Sequence, residues 1–159
     1  MTILVVILLC VIAVVIGVYF NSKKFNQLET EGKVVRRDDN FHETEQIFTA
    51  VGASYERVEQ ELKNIDLADA KIKEQLYRNN GKAQILYRST DGWNATLDLI
   101  GEDEGKYTYR FTFPVYTENN GSATRLITMN ILLTAVEKMF LRIDPNTQVT
   151  SKKLKYRAQ

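Results

Sequence analysis

The hydrophobic pattern divides the chain at its twentieth residue. Residues 3–20 read ILVVILLCVIAVVIGVYF, with no charge and no amide. As a helix rising ~1.5 Å per residue, this run spans roughly 27 Å, close to the hydrocarbon thickness of a bilayer. Each Leu, Ile or Val favours insertion by about 0.3–0.6 kcal/mol, of order 5 kcal/mol in sum. Tyr19 and Phe20 fall where an aromatic belt lies, and Asn21, Ser22, Lys23 and Lys24 close the run. The pattern predicts one transmembrane helix over residues 1–22, with Ile3, Leu9, Ala13, Gly17 and Phe20 among its membrane-spanning positions. A cleaved signal peptide requires a basic leading region and small residues at a cleavage site. Only Met1 and Thr2 precede the run, and no A-x-A pattern follows. Cys10 follows the bulky Ile7, Leu8 and Leu9, where a lipoprotein signal needs small residues. Apolar character on all sides also argues against a buried core helix in so small a protein.

Residues 23–40 are polar and charged, with scattered Phe25, Leu28, Val34 and Val35, and read as a juxtamembrane linker. The first helix is free to continue a turn or two past Lys24, with Gly32 as its stop. Residues 41–159 form the predicted soluble domain. Asn40 and Glu43 have capping-box spacing, and Ile47, Val51, Val58, Leu62 and Ile65 follow at helical intervals. Two helices are expected there, or one broken near residues 52–54. A further helix is expected over residues 67–78, with Ala68, Ile72 and Leu76 in register, although residues 70–77 also fit a strand.

Period-two alternation comes next. Ala83, Ile85 and Tyr87, then Trp93, Ala95, Leu97 and Leu99, then Tyr107, Tyr109, Phe111, Phe113 and Val115 each line one face of a strand. Asp91-Gly92 and Glu104-Gly105 mark the turns. This predicts a three-stranded antiparallel meander with one buried face. Helical periodicity returns over residues 123–143, with a broad apolar face that includes Leu126, Met129, Leu133, Val136 and Phe140. Asp144-Pro145 stops it. Residues 148–156 read as a short edge strand or a basic tail. The predicted class is α+β: a single N-terminal transmembrane helix followed by a two-layer domain, with helices packed on an antiparallel three- to four-stranded sheet. Phe111→Asp is the change expected to damage it most, since it would bury an unpaired carboxylate.

Composition adds location. The chain has 159 residues and a formal net charge of +1, which offers no global field for nucleic acid. Charged residues make up 26% of it, yet none precedes Lys23. Lys23, Lys24, Lys33, Arg36 and Arg37 follow the apolar run, so the positive-inside rule predicts a cytoplasmic domain at the cell membrane. The sequons at Asn94 and Asn120 matter only for a lumenal eukaryotic domain. The lone cysteine, Cys10, excludes an intramolecular disulfide. Ala13 and Gly17 share a helix face and are candidates for weak homodimer contact. Lys23, Lys24, Lys152, Lys153 and Lys155 are candidates for anionic lipid contact.

The sequence carries little chemistry. His42 is the only histidine and is expected on the surface in a first helical turn. Glu102, Asp103 and Glu104 read as a solvated hairpin tip, lacking the ligand spacing of a calcium loop. Neither G-x-S-x-G nor a phosphate-binding glycine loop occurs. Trp93, Tyr107, Tyr109, Phe111 and Phe113 are either plain core or the lining of an apolar pocket. No cofactor and no nucleic acid is implied. The expected partners are the bilayer and another membrane or cytoplasmic protein. The leading expectation is a non-catalytic, membrane-anchored interaction or accessory domain. An apolar-ligand-binding domain, or a tethered enzyme whose residues converge only in space, are the alternatives.

Overall fold

A computed structural model describes residues 2–119 and 122–154. Residues 1–36 and 37–159 form two separate compact units.

The first unit is dominated by helix α1, Thr2–Thr30. Its end is chemically explicit. Gly32, at φ +68°, adopts the left-handed conformation that glycine reaches without a steric penalty. Gly32 N donates to Glu29 O at 2.9 Å and Lys33 N to Leu28 O at 2.7 Å. This pairing is a Schellman motif, which satisfies carbonyls the last turn leaves open. Arg36 lies beyond it and pairs with Glu29 at 2.9 Å.

The second unit is α+β. In chain order it contains β1 (Thr44–Val51), α2 (Tyr55–Lys63), β2 (Ile72–Tyr77), β3 (Gln84–Ser89), β4 (Asn94–Asp103) and β5 (Lys106–Val115). A small hairpin, β6 (Glu118–Asn119) with β7 (Ser122–Ala123), leads to α3 (Leu126–Ile143) and β8 (Gln148–Lys153). The main sheet has six strands, not three or four, in the order β2-β3-β4-β5-β1-β8, and every pair is antiparallel.

The β3-β4-β5 meander forms where alternation places it, with Ile85 opposite Leu97 and Leu97 opposite Phe111 on the buried face. The β4–β5 turn has Glu104 at φ +47° and Gly105 at φ +78°. Two positive φ values in a two-residue loop match the right-handed twist of the flanking strands.

Three expectations fail. The expected first helix after residue 40 is instead a 3-10 turn, Phe41–Glu43, followed by strand β1. Asn40 makes no side-chain capping bond. β1 inserts between β5 and β8, so both its edges are hydrogen-bonded. Phe48 and Ala50 face the core, while Ile47 and Thr49 face away. The second half of the expected helical stretch does form, as α2, with Ser54 Oγ accepting from Arg57 N at 3.3 Å. The helix expected over residues 67–78 does not form: a 3-10 turn, Ala68–Ala70, leads into strand β2, which is the alternative reading of residues 70–77. His42, expected on the surface, is buried with its ring edge-on to Tyr116, centroids 4.7 Å apart.

The expected helix over residues 123–143 is α3, starting at Leu126 and ended by Asp144. Asp144 ties the helix end to the sheet: its carboxylate accepts Val51 N and Asn146 N, both at 2.9 Å. These backbone donors hold its carboxyl below the usual carboxylate range. α3 lies against β1, α2 and the Ala68–Ala70 turn, so helices cover one face of the sheet. β8 pairs with β1 and forms the sheet edge rather than a tail.

Candidate functional site

Three features could carry function: the apolar helix, the aromatic core under α3, and two polar clusters on the second unit.

Between residues 5 and 20, every large apolar side chain of α1 is 45–65% exposed. Leu9 and Phe20 belong to this set, and Ala13 and Gly17 are also exposed. A Cβ added at Gly17 would meet nothing within 4 Å. Ile3 is in the helix backbone, but its side chain lies outside the described residues. The helix is long and apolar enough to cross a bilayer. Lys23 and Lys24, in its later turns, are exposed.

The aromatic set converges on the core. Trp93, Tyr109, Phe111 and Phe113 are buried, and Tyr107 is half-buried at the end of the sheet. Trp93 and Phe111 each approach Phe113 edge-on, at centroid distances of 5.7 and 5.0 Å. Phe140 of α3 stacks on Phe48 at 4.7 Å and tilts against Tyr109 at 5.2 Å. The polar tips have partners. Tyr109 Oη donates to Ala53 O at 2.9 Å, and Trp93 Nε1 donates to Thr128 Oγ1 at 3.0 Å. Thr128 Oγ1 in turn donates to Asp91 Oδ2 at 2.9 Å.

One buried tip is poorly served. Tyr87 lies opposite Gln75 across the β2–β3 pair. Neither Tyr87 Oη nor Gln75 Nε2 is in good hydrogen-bond geometry, although both atoms are buried. Burial raises the Tyr87 phenol far above its ordinary value, and the nearby Gln75 side chain offsets this only in part.

The helix-free face of the sheet is polar. Asp98 lies at its centre and accepts from Gln84 Nε2, with Thr96 Oγ1 at 3.3 Å and Arg110 at 3.6 Å. Thr96 and Thr112 are bonded across the β4–β5 pair at 3.0 Å. Glu74 pairs with Arg88 at 2.7 Å and Glu45 with Lys152 at 4.0 Å. Asp98, Glu74 and Glu45 thus each face a cation on a neighbouring strand. Asn94 and Thr96, the first sequon, lie on this face in β4. Asn120 and Gly121 of the second sequon lie outside the described residues.

The second polar cluster matches no sequence motif. Asn130, Thr134 and Glu137 lie four and then three residues apart, so they share one stripe of α3. Arg37, the first residue of the second unit, inserts its guanidinium there. Arg37 Nε donates to Asn130 Oδ1 at 3.0 Å, and Nη1 to Glu137 Oε1 at 2.9 Å. Nη2 donates to Glu137 Oε2 at 2.5 Å and to Thr134 Oγ1 at 3.3 Å. The pair is bidentate, the geometry in which a guanidinium best matches a carboxylate. Its side chains are 14% and 19% exposed. The available signal was a polar stripe at helical spacing on an otherwise apolar helix.

Lys152 and Lys153 are exposed on edge strand β8, while Lys155 lies outside the described residues. Glu102, Asp103 and Glu104 sit exposed at the β4–β5 hairpin end. Among the described residues, no three His, Cys, Asp or Glu side chains gather to hold a metal ion.

No known protein family, no curated protein and no solved structure matches the chain.

Proposed function

We propose that this chain is a single-pass membrane-anchored protein whose C-terminal α+β domain is a non-catalytic interaction or accessory module on the cytoplasmic side. One observation carries the anchor: between residues 5 and 20, none of α1's large apolar side chains is buried by protein. Monomeric soluble proteins rarely expose contiguous apolar patches beyond a few hundred Å², and this helix displays such a surface on all sides. A bilayer is the solvent that removes the cost. The cytoplasmic orientation rests on Lys23 and Lys24 just after the apolar run, with Lys33, Arg36 and Arg37 beyond them. Lys152 and Lys153 add exposed cations that suit an anionic leaflet. The Ala13–Gly17 face leaves room for a second helix of the same kind.

The interaction reading is favoured because the aromatic side chains are occupied with one another and with α3. Surface recognition needs no further group inside the domain.

Fractionation with carbonate extraction tests the anchor. The full chain should stay in the membrane pellet, and release into the supernatant would refute anchoring. Protease treatment of intact cells tests sidedness. The domain should survive until the membrane is permeabilised, and digestion from outside would reverse the orientation.

A further inference from the structure

The stripe on α3 has the properties of a built receptor. Asn130 and Thr134 are 4% and 1% exposed, and their side chains are bonded to each other at 3.0 Å. Together with Glu137 they are spaced by the helix itself, so α3 alone fixes the relative positions of the acceptors. A carboxylate with two neutral acceptors beside it suits a planar fork of donors and suits a single ammonium poorly. The occupant present is a guanidinium, which identifies the ligand chemistry directly.

The occupant arrives on a short strap that runs into the buried Phe41. Residues 37–40 belong to no helix or strand, and Asp38, Asp39 and Asn40 are exposed. Within the strap, Phe41 N donates to Asp38 O at 3.1 Å. The guanidinium contacts link this strap to α3.

We propose that Asn130, Thr134 and Glu137 form a guanidinium-recognition site that Arg37 fills in cis, and that the site accepts in trans the arginine of a partner protein when the strap lifts. Arg37 then acts as an autoinhibitory occupant. Its covalent attachment gives it a high effective concentration, which keeps the site closed in the isolated protein. This inference goes beyond the membrane-anchored module and does not depend on which side of the membrane the domain faces.

The test uses the full chain in detergent micelles, with thermal unfolding followed by near-ultraviolet circular dichroism. Arg37→Ala empties the site and should lower the melting temperature. Methylguanidinium chloride at about 50 mM should then raise the variant's melting temperature by about 3–5 °C, because a ligand that binds only the folded state stabilises it. Methylammonium chloride at equal ionic strength should leave it unchanged. Wild type and the double variant Arg37→Ala/Glu137→Gln should not respond to either salt. The proposal is overturned if methylguanidinium has no effect on Arg37→Ala, or if methylammonium or the double variant gives the same rise. Should Arg37→Ala not fold unaided, refolding from urea provides the measurement. Recovery of the native spectrum in methylguanidinium but not in methylammonium supports the site. Recovery in both, or in neither, rejects it.

Discussion

Phe140→Ala tests whether the α3–sheet contact holds the domain together. Phe140 is fully buried, stacks on Phe48 at 4.7 Å with rings 11° apart, and tilts against Tyr109 at 5.2 Å. Truncating a buried phenylalanine costs about 3–5 kcal/mol from lost burial and the cavity left behind. Aromatic pairs add about 0.5–1.5 kcal/mol beyond area, and two such contacts disappear here, which argues for about 4 kcal/mol. For a domain of this size, ~4 °C per kcal/mol translates that loss into a fall of roughly 15 °C in melting temperature. Leu141 is the internal control. It is the next residue along the helix but is 45% exposed, so Leu141→Ala should cost less than about 1 kcal/mol. Thermal unfolding of both variants in the same detergent, followed by near-ultraviolet circular dichroism, gives the comparison. Equal losses at positions 140 and 141 would refute the rotational phase assigned to α3 and the core built on it.

Other consequences follow from single residues. Tyr87→Phe removes a buried hydroxyl lacking good hydrogen-bond geometry, so stability should hold or rise by up to about 1 kcal/mol, and a loss above that in urea denaturation would show the hydroxyl is satisfied. Gly105→Ala should cost about 1 kcal/mol and Glu104→Asn should gain a few tenths, because both positions have positive φ; a neutral Gly105→Ala would contradict the turn assignment. Burial, aided by Glu59 and Tyr55, pushes the Tyr77 phenol up to about 12 from an ordinary 10.0. The folded state therefore holds that proton more tightly than the unfolded chain does. Its contribution is intact below pH ~10 and is lost as pH rises toward ~12, so stability should fall across that window and fall less in Tyr77→Phe. A flat alkaline profile in wild type would count against that environment.

Local periodicity made much of the fold legible. The apolar helix, the β3-β4-β5 meander and α3 each carry one repeating pattern over ten residues or more, and each forms where its pattern places it. β1 was misread because Ile47 and Val51 are four apart and fit a helical face, while Phe48 and Ala50 fit a strand. Its β-branched Thr44, Ile47, Thr49 and Val51 were the overlooked signal. The sheet was undercounted for the same reason, since β1, β2 and β8 are short or carry mixed patterns.

By itself, the sequence determined what depends on neighbours along the chain: an uninterrupted apolar helix, alternating strands, their glycine turns, and a helix stopped by Asp144-Pro145. The tertiary structure decided what depends on distant partners. β1 became a strand because β5 and β8 satisfy the backbone groups on both its edges. The buried side chains of Asn130 and Thr134 are matched by Arg37, more than ninety residues earlier in the chain. Propensities differ by fractions of a kcal/mol per residue, whereas burying an unpaired polar group costs several. Long-range pairing therefore overrides local preference at these positions, and a window of sequence does not contain the partner that decides them.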